Sequence, residues 1–423
     1  MPEAYVYLHL EDGPIPVGIL ETIGSGRDAT ARFRYGRRYL QRKDRLAIDP
    51  IQLPLPPDGD PDRDYLAAED FVLFNGIRDA APDGWGRHLM DRAAGTRTLS
   101  EFDYLVATGD SRVGALAFGP DLTGPKRIIP WNEQNLDGEE LDLKGMLEAI
   151  RDIDVADDLP RKHGRFLARG SSLGGARPKA TTELNGKQWI AKFGRADDHF
   201  PMCRAEYATM KLAYSVGINV PPLRLEKALG QDIYLIERFD RIPTGSSYHR
   251  LPFISGLTVT GAHESESSHQ SYRRLAEQLR LFGSDPAKDS YELWRRMLFN
   301  ILCNNTDDHL RNHGFLWDGK GWRLSPAYDI VPYPQVSLDR DLAIGVGRDG
   351  RRATLKNALT SVASFGLSQS QAISIVRDIQ KAVKAMWEDT FKSSGLTQGE
   401  IERLRTCFIA CDEPIPEADA ESS

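Results

Sequence analysis

The chain has 423 residues, 40% of them apolar and 27% charged, with 54 Lys+Arg against 61 Asp+Glu for a formal net charge of −7. That balance excludes a disordered tail or a fibre and predicts two or three domains, or one large two-lobed fold. An acidic whole also argues against DNA binding as the principal activity, since a protein that neutralises duplex phosphates is usually basic.

The start, Met1-Pro2-Glu3-Ala4, lacks the basic and apolar regions of a secretory signal. No apolar run reaches the roughly 18 residues of a spanning helix, so a cytoplasmic protein without a membrane segment is expected. Residues 1–120 read as β-rich. Tyr5 to Leu8 and Val17 to Leu20, separated by Asp12-Gly13-Pro14, predict a hairpin. The stretch Arg32 to Arg45 interleaves Phe33, Tyr35, Tyr39 and Leu40; a strand and helix with solvated Arg faces is the reading adopted over a nucleic-acid stripe. Gly109 to Phe118 reads as a turn feeding the strand that closes this unit. Residues 121–160 turn polar and helical, with Leu141, Leu143, Met146, Leu147 and Ile150 at helical spacing, and predict a connecting helix or linker. From 161 to 241 come a Gly/Ser loop, a strand, a helix and a further strand. Residues 242–411 are mainly helical with one hairpin near 315–324, and the acidic tail 412–423 is expected to be disordered. Cys407 and Cys411, two of only four Cys, read as core thiols and not as a redox pair.

The chemistry concentrates in Asn304-Asn305-Thr306-Asp307-Asp308-His309-Leu310-Arg311-Asn312, which follows a helix expected to begin near Asp289 with Glu292 at capping-box spacing. A hairpin follows, Phe315 to Trp317 and Trp322 to Leu324, and then Ala327-Tyr328-Asp329. Phosphoryl transfer asks for such a set: one carboxylate to accept the proton of the attacking hydroxyl, and an amide oxygen with a second carboxylate to hold Mg²⁺. Asp307, Asn312 and Asp329 fill these roles at the spacing a kinase catalytic loop uses. A rival reading makes His309 and His313, with Asp307 and Asp308, ligands of a transition metal, which leaves Asn312 and Asp329 without a role.

The nucleotide side lies upstream. The small-residue loop Gly170-Ser171-Ser172-Leu173-Gly174-Gly175-Ala176-Arg177-Pro178-Lys179 would let backbone N–H groups approach phosphate, although it matches neither the Walker pattern nor Gly-x-Gly-x-x-Gly. In Trp189-Ile190-Ala191-Lys192-Phe193 a lysine interrupts an apolar strand, where burial demands anions around it. Glu206, on one helix face with Met210 and Ala213, is the available carboxylate. Tyr234 to Asp240 reads as a strand running into a hinge, with Glu237 and Phe239 placed to meet adenine.

These motifs, in this order, resemble the HipA family, the serine/threonine-kinase toxins of HipBA-type toxin–antitoxin pairs. The resemblance covers nearly the whole chain and rests on Ser172 to Lys179, Trp189 to Phe193, Ala205-Glu206-Tyr207, Glu237 to Arg241, Asn305 to Asn312 and Ala327 to Ile330, with Gly18, Phe33 to Tyr35 and Asp110 to Phe118 in the N-terminal part. It implies an α+β, two-lobed protein-kinase-like fold with a β-rich N-terminal accessory domain and a mainly helical C-terminal lobe. It implies ATP- and Mg²⁺-dependent transfer to protein Ser or Thr. Asp307 and Arg311 are then catalytic, and Asn312 and Asp329 are metal ligands. Ser172, Gly174, Gly175, Ala176, Lys179, Lys192, Glu206, Glu237, Phe239 and His309 form the ATP-binding set, and Ser172 is an autophosphorylation site. Family members act on aminoacyl-tRNA synthetases and pair with a small helix-turn-helix antitoxin that carries the DNA contacts. Two departures stand out: Arg311 replaces the more usual Lys, and Arg177-Pro178 stiffens the loop before Lys179. A catalytically silent regulator gripping an antitoxin, and a small-molecule kinase, are the alternative functions.

Overall fold

The computed structural model describes residues 2–24, 29–57, 59–68, 71–129, 142–155, 170, 174–195, 197–245, 247–335, 337 and 339–415. The chain divides into two compact units, Met1–Arg195 with Glu226–Ile254, and Ala196–Leu225 with Ser255–Ser423. Ser172 and residues 416–423 of the acidic tail lie outside the described residues.

In the first unit, β1 (Glu3–Leu10) and β2 (Gly13–Ile23) form the expected hairpin, with Tyr5 opposite Ile19 and Val6 opposite Gly18. With β3 (Thr30–Tyr35), β4 (Asp64–Leu66) and β5 (Leu116–Gly119) they make a five-stranded sheet in the order β4-β3-β2-β1-β5. Alternation along β3 buries Ala31, Phe33 and Tyr35 and turns Arg32 and Arg34 outward. The one-turn α1 (Arg37–Leu40) follows. The basic stretch is neutralised locally: Arg32 pairs with Glu21, Arg34 with Asp64 at 2.7 Å, Arg37 with Asp62 at 3.2 Å and Arg42 with Asp44 at 2.8 Å. A stripe already met by carboxylates is a solvated face and not a phosphate-binding one.

Three helices follow that a β-rich reading does not anticipate: α2 (Asn75–Arg78), α3 (Gly84–Ala94) and α4 (Glu101–Ala107). α4 carries a full capping box between Ser100 and Asp103. α3 opens with two glycines in three residues, a poor start by propensity. It is held by the Asp83 N-cap and by burial of Trp85, Leu89 and Ala93, spaced four apart on one face.

α5 (Leu143–Val155) falls where a connecting helix was expected, but it is a core element. It buries Met146, Leu147, Ile150 and Ile153 in one cluster with Trp85, Leu89, Ala191, Phe193, Ile233 and Leu235. The last four belong to a second sheet, made of β6 (Lys179–Leu184), β7 (Lys187–Phe193), β8 (Leu223–Ala228) and β9 (Gln231–Glu237) in the order β6-β7-β9-β8. A hairpin follows, β10 (Arg241–Thr244) with β11 (Ser247–Arg250), which corrects the start of the stretch expected to be mainly helical. β12 (Phe253–Ser255) runs across the boundary of the units.

Buried charge fastens this second sheet to the N-terminal domain. Asp240, 2% exposed, accepts from Arg238 Nη2 and from Arg241 Nη1, each at 2.8 Å, and from the Gly114 amide at 2.7 Å. Two cations on one anion leave a surplus charge, which is solvated by carbonyls: Arg238 reaches Ser111 O at 2.6 Å and Arg112 O at 3.0 Å, and Arg241 reaches Gly114 O at 2.9 Å. The Asp240 carboxyl is held far below the carboxylate range. Burial opposes that shift, and the charges of Arg238 and Arg241 with their hydrogen bonds override it.

The second unit is mainly helical. It contains α6 (Met202–Ser215), α7 (Gly256–Thr260), α8 (Tyr272–Phe282), α9 (Pro286–Leu302), the hairpin β13 (Gly314–Trp317) and β14 (Trp322–Leu324), α10 (Leu355–Leu359), α11 (Gln369–Ser393) and α12 (Gln398–Leu404). α9 begins at Pro286 under an Asp285 cap, three residues before the expected start, because Pro is preorganised for the first helical position. Asp289 turns inward instead and accepts from Arg323 Nε at 2.8 Å and from the Leu324 amide at 3.0 Å, bracing the hairpin. Cys407 and Cys411 are buried free thiols, both pushed up to about 12 by burial, as inert core residues would be. The expectation of disorder from 412 onward needs correction at its first residues. Glu413 accepts from the amides of Leu355 and Lys356 at 3.0 Å each, completing the start of α10.

Candidate active site

The expected catalytic loop is built from the C-terminal end of α9. Asn304 takes a left-handed conformation at φ 54°, which turns the chain out of the helix. Below the loop lies a buried polar chain: Asn305 Nδ2 donates to Asn300 Oδ1 at 3.2 Å, and Asn300 Nδ2 to the Tyr272 hydroxyl at 2.9 Å. Tyr272 in turn donates to Asp308, whose other oxygen lies 3.0 Å from His313 Nε2. Asn300, Asn305, Asp308, His313 and Tyr272 are all buried. The hydrogen bonds among these buried groups fix the geometry of the loop's inner side. They commit Asp308 and His313 inward, as supports of the loop and not as ligands alongside Asp307.

Asp307, one residue earlier, faces outward. Its carboxyl is raised above the usual range, first by desolvation and then by the like charge of Asp329, against the opposing pull of His309. Asn312 Nδ2 donates to the Asp307 carbonyl at 2.8 Å, which ties the two ends of the loop and turns the amide oxygen the other way. Asp329 sits in the left-handed region at φ 60°, a strained position for a residue with a side chain. Its segment is held on both sides: the Ala327 amide donates to Asn219 O at 2.8 Å, and the Tyr328 hydroxyl to Arg311 O at 2.7 Å. The second unit therefore brings Asp307, His309, Asn312 and Asp329 together. Arg311 lies on the same loop with its Nε 2.6 Å from Glu264.

Mg²⁺ suits this donor set. Asp329 and the Asn312 amide supply hard oxygens, and the Asp307 carboxyl, raised in part by the charge of Asp329, would gain from a dication nearby. Among the described residues no three His, Cys, Asp or Glu side chains gather to hold a metal. The four ligands of the rival transition-metal reading do not assemble.

In the first unit Lys179 and Lys192 stand directly opposite each other on β6 and β7 and so share one face. They are only 7% and 9% exposed, which concentrates two ammonium groups in a poorly solvated place. Lys192 Nζ also lies 5.7 Å from the Tyr234 ring centroid on β9. Gly175, at φ 92°, is bare where any side chain would strike Lys179 Nζ. Gly174 and Ala176 flank it, exposed. Glu206 lies in the second unit, 5% exposed on the same face of α6 as Met210 and Ala213. Glu237 stands apart, opposite Trp189, with its carboxylate engaged by Lys187 at 2.8 Å. The Phe239 ring faces Phe253 at 6.4 Å.

The HipA-like C-terminal domain model matches residues 171–387 and the HipA N-terminal domain model residues 9–119. This chain belongs to the HipA family. Among curated relatives of this HipA-family chain, a Sinorhizobium fredii protein named "Putative kinase Y4mE" is 25% identical over 383 residues, 85% of this chain and 87% of that protein. The Shewanella oneidensis "Serine/threonine-protein kinase toxin HipA" is 22% identical over 275 residues, 59% of this chain and 60% of that one. A solved Shewanella oneidensis complex of HipA, HipB and operator DNA superposes with a TM-score of 0.69 at 19% identity, covering 97% of this chain and 96% of that chain. The fold is accordingly the α+β, kinase-like fold of HipA, with a β-rich N-terminal part and a mainly helical C-terminal part. Among the described residues, no helix is long and apolar enough to cross a membrane.

The sequence did not single out the Asn300–Tyr272–Asp308–His313 network or the Arg238–Asp240–Arg241 cluster. A signal for the first exists in Leu298-Phe299-Asn300-Ile301-Leu302, where one amide interrupts an apolar helical run.

Proposed function

We propose that this chain is an ATP- and Mg²⁺-dependent kinase that phosphorylates Ser or Thr of a protein and its own Ser172. The observation that carries the reading is the outward Asp307, its carboxyl raised by desolvation and by the like charge of Asp329, on a loop pinned from below by buried polar groups. The Asp307 carboxylate would orient the attacking hydroxyl and accept its proton as the oxygen bonds to phosphorus and the ADP oxygen leaves. Lys179 and Lys192 would neutralise phosphate charge, with the backbone of Gly174 to Ala176 lining the same phosphates and Glu206 serving the nucleotide-binding set. Arg311 would stabilise charge on the transferring group after leaving Glu264, while His309 would help hold the nucleotide. Asn312 and Asp329 would hold Mg²⁺, whose chemistry there would be neutralisation of the charge on the phosphates.

The division of labour in this reading is an accessory domain over 1–120, a sheet-bearing N-lobe over 161–241 and a helical C-lobe over 242–411. A small helix-turn-helix antitoxin is the proposed partner, carrying most DNA contact, which suits an acidic chain. An aminoacyl-tRNA synthetase is the first protein substrate to try, and the cytoplasm is the proposed compartment. Phosphorylated Ser172 would add up to two negative charges to a loop meant to meet phosphates, and would switch the enzyme off.

Asp329→Ala should lower turnover by about 10²-fold or more and raise the Mg²⁺ concentration needed for half-maximal rate. Titration of the rate against Mg²⁺ checks this, and an unchanged metal dependence removes Asp329 from the ligand set.

A further inference from the structure

Two residues of the loop that ends at Lys179, Gly175 and Lys179 itself, rest on one residue of α3. The Trp85 amide donates to the Gly175 carbonyl at 2.9 Å, and the Trp85 indole Nε1–H donates to the Lys179 carbonyl at 3.1 Å. A Cβ built on Gly170 would stand 3.5 Å from the same indole nitrogen and 3.1 Å from Lys179 O. One residue earlier, a Cβ on Gly84 would lie 3.1 Å from Ala176 Cα and 3.5 Å from Gly175 O, so α3 begins bare where the loop crosses it. Asp83 fixes that beginning by accepting from the Gly84 amide at 2.8 Å.

Neither bond is needed to fold α3 or to pair β6. The first amides of a helix have no partner within it, so donation to Gly175 settles where the loop lies. The indole ring is 5% exposed among Leu89, Ile153 and Ala191, and cannot swing away without opening that core. The two carbonyls it holds belong to Gly175 and Lys179, the residues assigned above to phosphate.

We propose that Trp85 is a positioning residue for the phosphate loop: from the N-terminal domain it fixes Gly175 and Lys179 in the arrangement that grips nucleotide. ATP affinity is then set by α3 as well as by the loop. This rests on the nucleotide-binding reading of the loop, and its test keeps the two separable.

Trp85→Phe keeps an aromatic ring in the core and removes the indole donor. The full chain is compared with the wild type and with Ile153→Val, a neighbour in the same core. Three readouts are used: melting temperature, KM for ATP against kcat, and amide hydrogen exchange at Gly174 to Lys179 without nucleotide. Trp85→Phe should raise KM for ATP by about fivefold, the worth of one ordinary hydrogen bond, with kcat little changed and faster loop exchange. Ile153→Val should lower the melting temperature and leave KM and exchange unchanged. Gly84→Ala, which crowds Ala176 without touching the indole, should shift KM the same way and serves if Trp85→Phe does not fold. KM and loop exchange unchanged in both variants overturns the proposal. If the wild type binds no ATP, the kinase reading fails by itself and exchange alone decides: faster exchange supports the clamp, and unchanged exchange overturns it.

Discussion

Asp307→Ala should reduce phosphoryl transfer by about 10³-fold, the worth of a positioned general base, with melting temperature and nucleotide affinity close to wild type. Stability should hold because Asp307 faces outward and the loop's fixed points are elsewhere. Asn305, Asp308 and His313 anchor it from within, and the hydrogen bond from Asn312 goes to the Asp307 backbone carbonyl, which alanine retains. The loss should be steeper in kcat than in KM, since a proton acceptor contributes as the hydroxyl oxygen attacks. A variant retaining activity within a few-fold removes Asp307 from this role.

Asp240→Ala should be the most destabilising single change in the first unit, at about 3–5 kcal/mol. It strands the guanidinium groups of Arg238 and Arg241, whose side chains are 1% and 2% exposed, facing each other without an anion. It also orphans the Gly114 amide. At a few degrees per kcal/mol for a unit of this size, thermal unfolding should drop by roughly 10 °C. The same cluster sets an acid limit. A carboxylate whose folded-state pKa is depressed contributes stability above its unfolded value of about 4, and that contribution is lost as pH falls below it toward the folded value. Wild-type stability should therefore decline below about pH 4, and Asp240→Ala should show a shallower decline. A melting temperature within a degree or two of wild type would show that the carbonyls of Ser111, Arg112 and Gly114 suffice to hold the two arginines.

Much of the candidate site was legible because its chemistry depends on local spacing. Asp307 and Asn312 are five apart on one loop, and Asp329 follows a short hairpin whose turn the sequence marks with Asp318-Gly319. Lys192 stood out as a lysine in an apolar strand, and the structure adds what no single strand can reveal, that Lys179 lies directly opposite on the same face. What stayed hidden depends on distant parts of the chain. Asp308 entered the sequence reading only as a ligand of the rival metal site, and Tyr272 and His313 claim its oxygens instead. Arg238, Asp240 and Arg241 read as the end of a strand, and only the loop at 111–114 gives them partners. α3 opens on glycines that propensity counts against, and burial of Trp85, Leu89 and Ala93 outweighs them. Asp289 looked like a helix start because local rules place acids there, while Pro286 had already begun the helix.

Transfer of a phosphoryl group from ATP to a hydroxyl is the activity proposed for this chain. Incubation of the purified full chain with γ-labelled ATP and Mg²⁺, followed by phosphopeptide mapping, tests it most directly. Label is expected on Ser172 of the wild type, with none in Asp307→Ala and none when Mg²⁺ is chelated. Absence of any labelled hydroxyl in the wild type across a range of Mg²⁺ and pH, with ATP left intact, would contradict it.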